Sequence, residues 1–193
     1  MKPLRAMLLD MQDERKTAML RIYDHYRDLF HFAAGSGHNH QAWPGGYADH
    51  IAECLRVNRA TYQALAAIRP LPFTEDSAAI CLFLHDIEKL FRYGPADHPE
   101  VKVWHSWADH YDATRPVGAS WQTWEEIKAE ILNEWLNTYA FFLDPDEINA
   151  LKYTHGEGDD HLKDRRVAGP LAAHCHHCDN TSARIWFNEG RSS

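Results

Sequence analysis

The sequence predicts an all-α protein, a bundle of helices without a sheet. Apolar residues recur at helical spacing along most of the chain, strand-type alternation is nearly absent, and Pro, Gly and short polar clusters divide the periodic runs. The N-terminal segment, residues 1–35, carries Leu8, Met11, Leu20, Tyr23 and Tyr26 near a helical period, so residues 3–33 are expected to form one long helix. GSGHNHQAWPGG then reads as a loop. Residues 47–68 follow as an amphipathic helix bearing His50 and stopped by Arg69-Pro70-Leu71-Pro72. Thr74 is suited to cap the next helix, EDSAAICLFLHDIEKLFRY, whose first turn is acidic.

YGPADHPE breaks the pattern. Trp104 to Tyr111 reads as a short helix or loop, and DATRPVGAS as loop. Ser120 or Thr123 is placed to cap WEEIKAEILNEWLNTYAFFL, and Asp144-Pro145 to start DPDEINALKYTH. GEGDDHLKDRR is a polar loop, and residues 170–187 form the last helix. The 193 residues fit one domain with a sizeable core, the helical core spanning 38–187.

Composition narrows the class. Apolar residues make up 45%, which speaks for a globular chain. No apolar run approaches ~20 residues, and MKPLRAMLLDMQDERK turns charged too early for a signal peptide, so a cytoplasmic protein without a membrane partner is expected. Cys54, Cys81, Cys175 and Cys178 read as core thiols rather than a disulfide framework. A net charge of −8 argues against long nucleic acid as a partner, though not against a small nucleotide; self-association stays open.

The chemistry concentrates in ICLFLHDIEKLFRY. His85 and Asp86 adjoin on a strongly apolar stretch, and buried groups of this kind call for a partner, commonly a divalent cation. Lys89 follows on the same helical face, where it can meet an anionic substrate. Glu88, three after His85, can also look into the site and orient water, or pair with Arg92 or Arg184. His50 after Pro44-Gly45-Gly46, and Asp179 in AGPLAAHCHHCDNTSARIWF, complete a set of two imidazoles and two carboxylates drawn from three helices.

These segments carry a resemblance. WPGGYADHIAECLRV, CLFLHDIEKL and LKYTHGEG with PLAAHCHHCDNTSAR resemble the H…HD…D signature of the HD superfamily of metal-dependent phosphohydrolases, the closing region being similar to its exoribonuclease-like branch. The likeness covers about residues 38–184. It implies an HD-domain helical bundle and a divalent ion (Mn, Co, Ni, Fe, Mg or Zn) held by His50, His85, Asp86 and Asp179. It also implies hydrolysis of a small phosphate compound, a nucleotide first among the substrate classes. Asp86, Lys89 and Glu88 are the candidate catalytic residues, and Lys89 and Arg184, with Lys163-Asp164-Arg165-Arg166, the candidates for holding phosphate.

Binuclear members carry further histidines. His155 suits such a position, and His110 or His105 could serve for another, but Ala119 stands where a second is expected, so one metal is favoured. A di-iron oxygenase and a non-catalytic regulatory module are the alternatives. HCHHC, residues 174–178, lacks the second ligand pair of a zinc finger, so Cys175 and Cys178 are read as core, with His176 or His177 lining the pocket or facing solvent. The tryptophans are read as mostly core, with Trp43 as the candidate for stacking on a base.

Overall fold

A computed structural model describes residues 3–114 and 120–186. The described residues are α-helices with one 3₁₀ turn and no strand, as the periodicity predicts. The helices are α1 Leu4–Leu9, α2 Lys16–His25, α3 Arg27–Phe32, α4 Gly46–Ile68, α5 Glu75–Leu84, α6 Lys89–Arg92, α7 Pro99–Asp112, α8 Ser120–Thr138, α9 Pro145–Tyr153 and α10 Pro170–Ile185. None of them is long and apolar enough to cross a membrane.

The expected single N-terminal helix is instead three. Asp76, in the first turn of α5, accepts the backbone N–H groups of Gln12 and Asp13 at 2.7 Å each, and the Asp13 carboxylate accepts from the Arg15 backbone at 2.8 Å. These carboxylates compete with the helical hydrogen bonds and open the chain between α1 and α2. A second break falls at Tyr26, where ψ is 23°. Periodicity persists across both breaks because each piece buries its own stripe, Leu4 and Leu8, then Met19 and Ile22, then Leu29 and Phe30.

The other boundaries follow local chemistry. Thr74 caps α5 by accepting from Ser77 N at 3.0 Å. Asp144 and Glu147 form a reciprocal capping box at the start of α9, with Pro145 in its first turn. The segment around Trp104 to Tyr111 is fully helical within α7, begun by Pro99. Thr123 is not a cap: it lies inside α8 and bonds Asp112 Oδ1 at the end of α7 at 2.5 Å, while the side chain of Ser120 and the loop residue Ala119 lie outside what is described.

Two packing groups share one core. Helices α4, α5, α9 and α10 pack mutually and hold the site, whereas α7 packs on α8 and α6. An aromatic seam ties the N-terminal helices to α6 and α8. Tyr26 stacks on Trp135 with centroids 5.0 Å apart, accepts the Trp135 indole N–H at 3.3 Å, and meets Phe91 edge-on. Trp124 and Trp135 are buried as read from the sequence. Trp107 and Trp186 are exposed instead, because each lies on the outward face or end of its helix. All four cysteines are buried free thiols.

His174 of α10 is a buried imidazole. Its Nε2 donates to Asn58 Oδ1 at 2.8 Å and its ring packs on Phe73 at 5.2 Å. Burial, reinforced by His177, lowers its pKa from 6.5 to about 4. The neutral form is therefore the folded form. Its contribution is complete above the ordinary histidine range and is lost as pH falls from 6.5 toward 4. Melting curves of the wild type and His174→Gln across that range should show the wild type losing about 2 kcal/mol more than the variant, after solvent screening is allowed for. Parallel pH profiles would refute this.

Candidate metal centre

His50, His85, Asp86 and Asp179 converge: each offers one donor atom, all within 4.8 Å of one another, and all four residues are buried. His50 Nε2 lies 3.3 Å from Asp179 Oδ1 and 3.5 Å from Asp86 Oδ2; His85 Nε2 lies 3.1 Å from Asp86 Oδ2 and 3.6 Å from Asp179 Oδ1. The three helices drawn on are α4, the end of α5, and α10.

Local structure places each donor. Gly45, with φ 80°, makes the left-handed turn that starts α4 and sets His50 in its first turns. The His85-Asp86 pair does not lie within a continuous helix as expected. Helix α5 ends at Leu84, and a tight turn leads into α6, with Lys89 N donating to Asp86 O and Leu90 N to Ile87 O. His85 Nδ1 donates to Leu82 O at 2.8 Å, taking the carbonyl that a continuing helix would use.

The supporting bonds also fix tautomers. With Nδ1 of His85 committed to Leu82, its Nε2 presents a lone pair to the cluster. Ser182 donates to Glu53 Oε2 at 2.7 Å, so its oxygen accepts from His50 Nδ1 at 3.0 Å and the Nε2 of His50 is likewise free to ligate. Gln41 Nε2 donates to the same Glu53 oxygen at 2.8 Å and lies 3.2 Å from Ser182 Oγ. Among the described residues, buried His85 Nε2 and Asp86 Oδ1 have no hydrogen-bond partner. Two imidazole lone pairs facing two carboxylates in a buried site fit a divalent cation and could hold one.

The charges agree. Burial opposes ionisation of Asp86 and Asp179, yet the neighbouring histidines, and for Asp86 also Lys89, hold both carboxylates well below the usual range. Burial lowers the His85 pKa, but Asp86 and Asp179 outweigh it and carry that imidazole up to about 10, so without a cation the carboxylates draw a proton onto Nε2, and a divalent ion would take that proton's place and use the lone pair. Lys89 Nζ bonds Asp86 Oδ2 at 2.5 Å. Glu88 is buried with Oε2 unpartnered among the described residues, and burial together with the Asp86 charge pushes it up to about 7.

Beside the cluster opens a polar cavity of about 630 Å³, lined by Lys89, Asp179 and Arg184, by His155, and by Asn39, His40, His176 and Asn180. His155 Nε2 is 3.2 Å from Asp86 Oδ1 and 3.9 Å from Asp179 Oδ2. His176 lines this cavity and donates to Thr154 O at 2.6 Å, whereas His177 is exposed. Two sequence candidates are not brought to the cluster. His110 is exposed on α7 with its ring beside Tyr111, and His105 bonds Phe91 O and faces Trp124. Lys163, Asp164, Arg165 and Arg166 are exposed and do not line the cavity, and neither does Trp43, whose indole N–H donates to Asp49 at 2.9 Å.

Sequence reasoning missed Gln41, Glu53 and Ser182, which hold His50, and Asn39 and His40 at the cavity rim. A signal existed for two of them: Glu53 is three after His50 and Ser182 three after Asp179, the spacing of one helical face. Compared with protein-family models, with curated proteins and with solved structures, the chain matches none. The site therefore stands on its own geometry: an all-α protein with a buried His/His/Asp/Asp group that could hold a divalent ion.

Proposed function

We propose that the protein is a metal-dependent phosphohydrolase of the HD type that cleaves a phosphoester or phosphoanhydride, with a nucleotide as its substrate class. The observation that carries this reading is the adjacency of the four converging donors to a cavity bearing Lys89 and Arg184. A divalent ion held by His50, His85, Asp86 and Asp179 supplies polarisation of a phosphoryl oxygen and lowers the pKa of a water. Lys89, tied to Asp86, offers its remaining donors to phosphate oxygens entering the cavity, and Arg184 presents a planar fork to them from α10. Phosphoryl transfer needs positioning and charge stabilisation more than a covalent nucleophile, and these two cations provide both. Asp86 Oδ1, which faces His155 Nε2 at 3.2 Å, can orient water, and Glu88 is a buried carboxyl able to hold a proton. The nucleotide assignment rests on the resemblance of the HD motifs, not on the site itself.

One tightly held ion is proposed. The contact of His155 with both carboxylates favours a second reading, in which it helps hold another ion; two fully occupied ions per chain by elemental analysis would support that reading and raise the oxygenase alternative. The test of the main reading is release of phosphate or pyrophosphate from ribo- and deoxyribonucleotides with Mn, Co, Ni, Mg or Zn. Silence across that panel from metallated protein would sink it. Lys89→Ala should lower kcat/KM by about 10–100-fold while metal content stays near that of the wild type. Loss of metal along with activity would reassign Lys89 to maintaining the ligand set.

A further inference from the structure

Two hydrogen-bond chains run from buried groups to the wall of the polar cavity, and each ends in an acceptor. The first passes through Gln41, which is fully buried. Its Nε2 donates to the Glu53 carboxylate at 2.8 Å, so its Oε1 is turned to His40, whose Nδ1 donates to it at 2.6 Å. Above the ordinary histidine range the ring is neutral, and Nε2 of His40 then carries a lone pair. That atom has no partner among the described residues, and His40 lines the cavity. Ser36 fixes the backbone behind it, donating to His40 O at 2.8 Å and accepting from Asn39 N at 2.9 Å.

The second chain starts at Thr154, whose carbonyl can only accept. His176 Nδ1 donates to it at 2.6 Å, which leaves the Nε2 lone pair to accept from Asn180 Nδ2 at 2.9 Å. The same Nδ2 donates to His176 O at 3.1 Å. The amide nitrogen is therefore used. Asn180 Oδ1, unpartnered among the described residues, is the group left for the cavity. Asn180 lies four residues after His176 and four before Arg184 on α10, so this acceptor and the Arg184 cation share one helix face.

The polar groups of the cavity thus divide. Lys89 and Arg184 suit phosphate oxygens. His40 Nε2 and Asn180 Oδ1 do not, because an ionised phosphate brings them no proton. They call for donors, and the two cations in the same cavity disfavour an ammonium. Neutral donors remain, hydroxyls foremost. His40 is not among the donors that converge on the metal position. Ala183 is the one apolar side chain lining the cavity among the described residues, so little surface is offered to a base, and the sugar is the part of a nucleotide that this wall can read.

We propose that His40 and Asn180 accept hydrogen bonds from two sugar hydroxyls of a compound whose phosphate lies against Lys89 and Arg184, so that the protein prefers a ribonucleotide to its deoxy counterparts. An acceptor held ready for a hydroxyl is left unpaired by an analogue that lacks it, which makes such a site strongly discriminating. The proposal rests on the phosphohydrolase reading for the phosphate and on the two chains alone for the hydroxyls.

The test uses the full metallated chain at about pH 8, where histidine is neutral. kcat/KM is measured for adenosine mono- and triphosphate and for their 2′-deoxy and 2′,3′-dideoxy forms, in the wild type, His40→Phe and Asn180→Leu. Each protein is read by its own ratio of ribo- to dideoxynucleotide, which a general loss of fold, metal or activity does not move. The wild type should favour the ribonucleotide by about 10–100-fold, and each variant should lose about tenfold of that ratio. Calorimetry with ribose 5-phosphate and 2-deoxyribose 5-phosphate runs beside it. Equal kcat/KM for the three sugars in the wild type, or a preference that both variants retain, would overturn the hydroxyl assignment and leave the hydrolase reading standing. If no phosphate is released, yet the wild type binds ribose 5-phosphate about tenfold more tightly than its deoxy form and the variants do not, the hydroxyl subsite stands and the hydrolase reading falls. Equal or absent binding without turnover would remove both.

Discussion

On the proposed hydrolase reading, Asp86→Ala is expected to abolish phosphate release and divalent-ion binding, a larger loss than the ~10–100-fold that follows removal of a supporting group behind a ligand. The Asp86 carboxylate sits at the centre of the cluster: Oδ2 faces His50, His85 and Lys89, and Oδ1 faces His155. Asp179 cannot take its place, because it already faces the same two histidines from α10. The measurement is paired: elemental analysis for the ion and a nucleotide panel for turnover. Supporting-group variants set the scale. Ser182→Ala removes the acceptor of His50 Nδ1 and should weaken metal affinity by about 10–100-fold without ending turnover at saturating metal. If Asp86→Ala keeps the ion and more than a trace of activity, the ligand assignment is wrong.

The legible parts of this chain are those that local chemistry decides. The H…HD…D residues could be picked out because imidazole and carboxylate on apolar runs are costly without a common partner, and all four meet. The caps at Thr74 and Asp144 were legible for the same reason, each being satisfied by its own helix. What was illegible depends on long-range contacts. The N-terminal helix breaks because Asp76, more than sixty residues away, captures two backbone N–H groups. The turn at His85 arises from a side chain taking its own helix's carbonyl, which leaves the apolar pattern unchanged. His110 was drawn toward the site by its residue type, yet α7 packs on α6 and α8 and leaves it exposed. The loop before α4 could be identified as a break. Its use as a buttress could not, because that depends on where Gln41 points.

That buttress gives the second large effect, expected for Gly46→Ala. The Gln41 side chain reaches Glu53 and Ser182, the pair that holds His50, and its backbone takes φ 43°, a conformation that non-glycine residues rarely adopt. Its carbonyl accepts from Gly35 N at 2.9 Å and passes directly over Gly46. A Cβ at Gly46 would fall 1.9 Å from that carbonyl oxygen, which belongs to the backbone and cannot swing away like a side-chain tip. The loop must move as a unit and carry Gln41 off Glu53, freeing the Ser182 hydroxyl and the His50 ring that depends on it. Destabilisation of about 3 kcal/mol, at the upper end for overpacking, is expected, with a fall in melting temperature of roughly 6–12 °C. Metal affinity should fall together with stability, because both effects run through Gln41. Gly37→Ala in the same loop is the control: its added Cβ would meet only the Tyr93 ring at 3.7 Å, an ordinary contact, and both quantities should stay near those of the wild type. A Gly46→Ala protein that loses stability but binds metal like the wild type would separate the loop from the site and show that His50 is held by α4 and α10 alone.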